Sequence, residues 1–113
     1  MNIDPGIRKS LASIGFSDKE VGVYLALLDL GKGTVSQIAR KANINRTTGY
    51  DILNTLVNKG LASISGREPK QEYLAESPDK IEKLIQDELE KNNEYLKLAQ
   101  NLIPQLKSIH NVS

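Results

Sequence analysis

Cysteine is absent, which excludes disulfides, thiolate metal sites and a cysteine nucleophile. Aromatic residues make up only 4%, so any core must be built mainly from Leu, Ile, Val and Ala. Long apolar runs are missing as well. The longest, Val23 to Leu28, falls far short of the roughly 20 residues that cross a bilayer. The opening Met1-Asn2-Ile3-Asp4-Pro5 has no basic-then-apolar signal pattern, so a soluble, cytoplasmic chain is expected. His110 is the sole histidine and has no ligand partner at helical spacing, which argues against a metal site and a Ser–His–Asp arrangement. Gly31-Lys32-Gly33-Thr34 lacks the first glycine and the preceding strand of a phosphate loop. The expectation is a protein that is not an enzyme and uses no cofactor.

The 113 residues suit one small domain, or one domain with an appended element. With 39% hydrophobic and 26% charged residues the composition is globular, not disordered. No charge sign dominates: Lys+Arg is 15, Asp+Glu is 14, and the net charge of +1 does not advertise a nucleic-acid partner. The distribution says more. Residues 32–70 hold Lys32, Arg40, Lys41, Arg46, Lys59, Arg67 and Lys70 against only Asp51 and Glu68, while the flanking segments are net acidic. A local basic face, not net charge, is what phosphate binding needs.

Apolar spacing predicts a helix carrying Ile7, Leu11 and Ile14, closed by Gly15. Ser17-Asp18-Lys19-Glu20 reads as a capping box for a second helix, with Val21, Tyr24, Leu25 and Leu28 on one stripe, Ala26 and Leu27 broadening it, and its end at Gly31. Thr34 caps a short third helix through Ala42. Asn43-Ile44-Asn45 is a polar turn, and Asn45 caps a fourth helix over about 46–59 that ends at Gly60. The period then changes. Two short alternating runs, 61–65 and 71–76, flank the turn Gly66-Arg67-Glu68-Pro69 as a hairpin. Ser77-Pro78 starts a last helix, with Ser as cap and Pro at the first position, running to about Ile109; Pro104 should kink it or end its regular part. The fold class that follows is mainly α with a small β-hairpin: a winged helix-turn-helix over residues 1–76, followed by a long C-terminal dimerisation helix over 77–113.

In such a motif the start of the second helix meets base edges in the major groove. Here that stretch offers Asn45, Arg46, Thr47, Thr48, Tyr50 and, one turn on, Asn54; Arg67 and Lys70 sit in the wing, at 66–70, facing the backbone or minor groove. Arg46 can fork onto a phosphate or a guanine, and the threonines offer a hydroxyl and a methyl. Each has a plainer reading. Arg46 is a solvated cation, the threonines serve only the cap, Tyr50 packs on Leu53 or Leu25, and the wing charges deter edge-strand aggregation. Asp51 repels phosphate, so it accepts from a cytosine or pairs with Arg46 or a lysine.

Ile14-Gly15-Phe16-Ser17, Glu20, Val23-Tyr24, Ala26-Leu27-Leu28 and Gly31 begin a resemblance. It continues through Ile38-Ala39, Ile44, Arg46-Thr47-Thr48, Tyr50, Leu53, Leu56-Val57, Lys59-Gly60-Leu61, Tyr73-Leu74-Ala75 and Ser77-Pro78. Over residues 11–78 the chain resembles the TrmB-like winged helix-turn-helix regulators, most specifically from Arg46 to Leu61. The resemblance implies a DNA-binding transcriptional regulator that acts as a dimer. Two departures stand out. Gly49 takes the place of a branched apolar residue and should loosen its helix by roughly 1 kcal/mol against Ala. Longer members add a sugar-binding domain that this sequence does not show, so no sugar ligand is carried over.

The last helix has a heptad pattern. Ile85, Asn92, Ala99 and Leu106 fall at a; Ile81, Glu88, Tyr95, Leu102 and Ile109 fall at d; Leu89, Leu96 and Ile103 form an adjacent row. A stripe this wide calls for a second helix, most simply from another copy, with Asn92 setting register. The expected partners are a homodimeric twin and double-stranded DNA, probed at two half-sites of a palindromic operator. The competing reading is a winged-helix protein–protein interaction module that does not bind DNA. A small-molecule effector is neither supported nor excluded by the residues.

Overall fold

The computed structural model describes residues 4–111; positions 1–3 of the opening segment and the final two residues of the C-terminal segment lie outside the described residues. The chain divides into two compact units, with the division between Lys80 and Ile81.

The first unit is built from helices whose ends are chemically specified. Helix α1 (Pro5–Ser13) is capped by Asp4, whose carboxylate accepts from the Gly6 N–H at 2.8 Å. Only Leu11 of its expected apolar stripe is buried; Ile7 and Ile14 are exposed. Gly15, at φ +112°, lets the chain reverse, and the Phe16 N–H returns to the Leu11 carbonyl at 3.1 Å. Helix α2 (Asp18–Leu30) opens with the capping box: Ser17 Oγ accepts from Glu20 N at 3.1 Å, and Glu20 Oε1 accepts from Ser17 N at 2.9 Å. Val21, Val23, Tyr24, Leu25, Ala26 and Leu27 are all buried, the broadened stripe with Val23 added, so α2 is the central helix of the unit. The Tyr24 ring packs on Phe16 at 5.6 Å; burial pushes its phenol up from the usual value, and the hydroxyl has no hydrogen-bond partner among the described residues.

Lys32–Gly33 forms a two-residue strand, β1. Helix α3 (Val35–Ala42) follows a second reciprocal cap, Thr34 with Gln37, and is closed by Asn43 in the left-handed region at φ +59°. Helix α4 (Arg46–Asn58) is capped by Asn45, whose Oδ1 accepts from Thr48 N at 2.7 Å. Strands β2 (Ala62–Ser65) and β3 (Glu72–Ala75) pair antiparallel, Ala62 facing Ala75 and Ser65 facing Glu72. The sheet therefore has three strands in the order β1-β3-β2, because Lys32 and Gly33 pair with Leu74 and Tyr73. A two-residue strand has no period, so the spacing argument had found only the hairpin.

Lys59, at the end of α4, binds the start of α2. Its ammonium lies 2.8 Å from Glu20 Oε2 and 5.1 Å from the Phe16 ring centroid. Glu20 is thus shared between its own cap and α4. Burial raises its carboxyl pKa, but the Lys59 ammonium and the Ser17 N–H outweigh that and hold it below the usual 4.5.

The second unit is one helix, α5 (Lys80–Ile109), in which no residue is buried. It begins two residues later than Pro78. Ser77, Pro78 and Asp79 instead form a turn in which the Ser77 carbonyl accepts from Lys80 N at 3.0 Å and its hydroxyl accepts from Asp79 N at 3.3 Å. Of the two outcomes expected at Pro104, a kink or an end, the helix does not take the second. The proline removes one N–H from the ladder, yet the helix runs on to Ile109 and the His110 N–H still reaches the Leu106 carbonyl at 2.9 Å.

Gly22 and Gly49, each beyond the first turn of its helix, differ in purpose. A Cβ on Gly49 would stand 3.0 Å from the Ala39 Cβ and 3.6 Å from Ile44 Cδ1, whereas one on Gly22 would meet nothing within 4 Å. Gly49 is therefore the contact at which α4 sits down on α3, not merely a flexible point. We expect Gly22→Ala to raise stability in urea denaturation by about 0.5–1 kcal/mol. Gly49→Ala should lose that gain to overpacking, and Gly49→Leu should destabilise by about 1–3 kcal/mol. Equal gains at both positions would contradict the packing assigned to Gly49.

Because the folded Glu20 pKa is depressed, its contribution is fully present above the unfolded value near 4.5 and is lost as pH falls through the folded value. Thermal unfolding followed between pH 6 and pH 3 should therefore show a steeper acid loss in the native protein than in Glu20→Gln.

Candidate nucleic-acid interface

Burial of Leu53 and Leu56, with Gly49 against Ala39, fixes which way α4 faces. The opposite face is polar and open. Arg46, Thr47, Asp51 and Asn54 are exposed, Thr48 and Tyr50 are half-buried, and Arg46, Thr47, Tyr50 and Asp51 line one shallow depression. Asn45 is exposed, but its Oδ1 is committed to the Thr48 N–H, so it serves the helix cap first. Asp51 forms no ion pair among the described residues, and neither does Arg46.

Tyr50 packs on neither Leu53 nor Leu25. Its ring meets Tyr73 edge-on, 6.3 Å between centroids at 84°. Its hydroxyl lies 3.3 Å from both Glu68 Oε1 and Gln71 Oε1, either of which accepts its single proton. Tyr73 is 1% exposed, and its hydroxyl donates to Asn54 Oδ1 at 3.4 Å. Burial first, then the neighbouring Tyr50 and Glu68, push the Tyr73 phenol up to about 12. Two aromatic rings and five polar groups thus join the middle of α4 to the base and tip of the wing. Glu68, Gln71 and Tyr73 were not singled out from the sequence. The available signal was the register Gln71, Tyr73, Ala75, which places a phenol on the strand face that meets the helix.

The wing lies between β2 and β3. Gly66 adopts φ +78°, and its backbone comes so close to Lys70 that a Cβ would stand 3.1 Å from the Lys70 carbonyl oxygen. The Lys70 N–H donates to the Arg67 carbonyl at 2.8 Å, and both side chains are exposed. Of the seven cations in the basic block, Lys41 is bridged by Asp29 at 2.6 Å and Lys59 by Glu20 at 2.8 Å. Lys41 also holds the exposed Asp29 carboxyl below its usual range, through a hydrogen bond and charge. Lys32, Arg40, Arg46, Arg67 and Lys70 form no ion pair among the described residues. Among the described residues no three His, Asp or Glu side chains gather as a metal site, and no helix is long and apolar enough to cross a membrane.

A polar helix face beside a basic wing suits a duplex, and comparison with known proteins agrees. Residues 11–79 match the family model described as sugar-specific transcriptional regulator TrmB. The chain belongs to the TrmB family. Its members are transcriptional regulators with a DNA-binding winged helix. Over 97 residues, 86% of this chain, it is 29% identical to an HTH-type sugar sensing transcriptional regulator, TrmBL1, of Pyrococcus furiosus. Among solved structures it is similar to TrmBL2, an archaeal chromatin protein whose structure shows a novel mode of DNA binding, with a TM-score of 0.76 and 24% identity over 92% of this chain. A MarR family transcriptional regulator from Silicibacter pomeroyi matches with a TM-score of 0.55 and 22% identity, covering 92% of this chain and 75% of that one. These likenesses show the winged-helix fold. This chain spans 28% of the length of TrmBL1 and 40% of the TrmBL2 chain.

Removing the Tyr50 hydroxyl alone should be mild. Tyr50→Phe should cost about 0.5–1.5 kcal/mol in urea denaturation, the net worth of one neutral hydrogen bond. Tyr50→Ala, which also removes the edge-on contact, should cost more and should speed amide exchange at the β2–β3 hairpin ahead of α2. Unchanged hairpin exchange in Tyr50→Ala would show that the ring does not hold the wing.

Proposed function

We propose that this chain is a sequence-specific, double-stranded-DNA-binding transcriptional regulator that acts as a cytoplasmic homodimer. The observation that carries the reading is the uncovered polar face of α4. Its first turn presents Arg46 and Thr47 to base edges in the major groove, with Thr48 beside them and Asn45 holding the turn in shape. Arg67 and Lys70 of the wing take phosphates on the backbone or in the minor groove. Tyr50 and Asn54 act differently from a direct contact: both are engaged by wing residues, and they align the wing with the helix. The alternative of a protein–protein module without DNA binding calls for an apolar face here, and the half-buried Tyr50 is the sole large apolar ring on it. The sugar specificity in the family's description concerns relatives more than twice as long, and no sugar site is proposed for these residues.

Dimerisation rests on α5. Ile85, Leu89, Tyr95, Leu96, Leu102, Ile103, Leu106 and Ile109 are between 37% and 77% exposed, and Leu98, outside the heptad rows first read, widens the stripe. Thirty helical residues extend about 45 Å. An apolar band of that length and width calls for a partner surface, and a second copy supplies an equal band in self-complementary order. Half-buried Ile81 and the exposed Glu88, Asn92 and Ala99 complete the a and d positions. Two heads on a twofold axis then read half-sites about 34 Å apart, one turn of B-DNA.

The test is selection of bound duplexes from a random pool, followed by titration with the selected site. A palindromic consensus is expected. Arg46→Ala should weaken binding to it by about 1–3 kcal/mol and relax one base position. Leu102→Glu should yield monomers by analytical ultracentrifugation and weaken operator binding. Equal binding to every duplex, with or without Arg46, would defeat the assignment.

A further inference from the structure

One concave surface of the first unit is used by nothing described above. It lies beside the turn that joins α3 to α4. Arg8 of α1, Lys19 and Gly22 of α2, and Lys41 and Asn43 at the end of α3 line it, with Asp18 as its one carboxylate. Lys41 is bridged by Asp29 at 2.6 Å. Arg8 and Lys19 make no ion pair among the described residues and leave the cleft net positive.

Gly22 is the second, independent observation. It sits inside α2, is not held at a positive φ, and has no neighbour that a Cβ would meet within 4 Å. Glycine there costs about 0.5–1 kcal/mol against Ala, and neither packing nor backbone geometry repays it. What it does provide is room: Gly22 lines the cleft, and the space where a Cβ would stand is open for 4 Å.

We propose that this cleft is an oxyanion site that takes a phosphate group. Arg8 supplies a planar guanidinium fork suited to two phosphate oxygens, and Lys19 supplies a compact charge. Gly22 keeps the floor low enough for the group to approach the helix. The phosphate sits toward Arg8 and Lys19, away from the Asp18 carboxylate. Two sources share this chemistry: a DNA backbone phosphate flanking the contact made by α4, and a free small phosphorylated molecule. The DNA source rests on the proposed function; the site itself does not.

The test uses the full chain, an Arg8→Gln/Lys19→Gln double variant and Gly22→Leu. Gly22→Leu should keep or raise the melting temperature, since its side chain enters open space. In the first arm inorganic phosphate is titrated against each protein and the amide resonances of Gly22 (Leu in that variant) and Asn43 are followed; in the second, duplex binding is measured across a salt series. A free-phosphate site predicts saturable shifts in the native protein, lost in both variants, with an unchanged salt slope. A DNA-phosphate site predicts that the double variant lowers the slope of log K against log salt by about 0.9, the value for one phosphate. It also predicts that Gly22→Leu weakens duplex binding several-fold at constant salt. No phosphate-induced shift, together with identical slopes and affinities in all three proteins, overturns the proposal. If the native chain binds no duplex at all, the DNA reading fails and the phosphate titration alone decides the site.

Discussion

The approach of α4 to α3 at Gly49 and Ala39 is the constraint on which the rest depends. Helix axes usually stand 8–10 Å apart, and the smaller the residues between them the closer they come. With a glycine facing an alanine, α4 lies directly on α3, and Ile44 of the intervening turn packs beside the contact. That seating decides which residues of α4 face inward. Leu53 and Leu56 are buried, and Arg46, Thr47, Asp51 and Asn54 face out. A branched side chain at position 49 would have to lift or roll the helix, and the polar face would turn with it. The far end of α4 is set by charge: Lys59 joins Glu20 across from the α2 cap, so packing near the start and an ion pair at the end hold one helix.

The same economy governs the basic block. Its seven cations are not one uniform field. Lys41 and Lys59 neutralise Asp29 and Glu20 at helix termini, where they hold α3 to α2 and α4 to α2. Removing them from the account lowers the positive charge but concentrates what remains on Arg46, Arg67 and Lys70, around α4 and the wing, with Lys32 and Arg40 nearby in sequence. Net charge is a poor guide to such a surface because only Asp51 and Glu68 of the 14 acidic residues fall within positions 32–70, while the rest offset the basic block from elsewhere in the sequence.

Much of this architecture was legible because it is written in local chemistry. Ser17 with Glu20, Thr34 and Asn45 mark helix starts that the structure reproduces with cap hydrogen bonds of 2.7–3.2 Å, and Gly15, Gly31 and Gly60 mark ends. What escaped was non-local or too short to have a period. Strand β1 exists only because β3 lies beside it. Gly49 reads in sequence as a weak helix former, and its purpose appears only when Ala39 is placed 3.0 Å from its missing Cβ. Tyr50 was open between a phosphate contact and a core contact, and it chose a third course, because its partner Tyr73 lies on a strand 23 positions away and no pairwise spacing within α4 points there. Pro104 follows a related logic: the rule that proline ends a helix counts one lost hydrogen bond, whereas a helix of 30 residues retains the rest of its ladder.

The wing's attachment to α4 has a consequence for how the interface works. A hairpin of two four-residue strands is marginal by itself and would leave its tip free to sample many positions. Tyr50 and Tyr73 reduce that freedom from the side, since the Tyr50 phenol reaches Glu68 at the tip and Gln71 at the base, while Tyr73 returns to Asn54. In the proposed complex the wing therefore meets the backbone with less ordering still to be done at the moment of binding, which is where flexible loops lose affinity. The cost is that the Tyr50 hydroxyl is no longer a free donor. In the proposed complex, contact with phosphate passes instead to Arg67 and Lys70, whose charge does that work better than a neutral phenol. In that proposed complex Tyr50 acts one step back from the duplex, by making two elements that are separate in sequence arrive there as one surface.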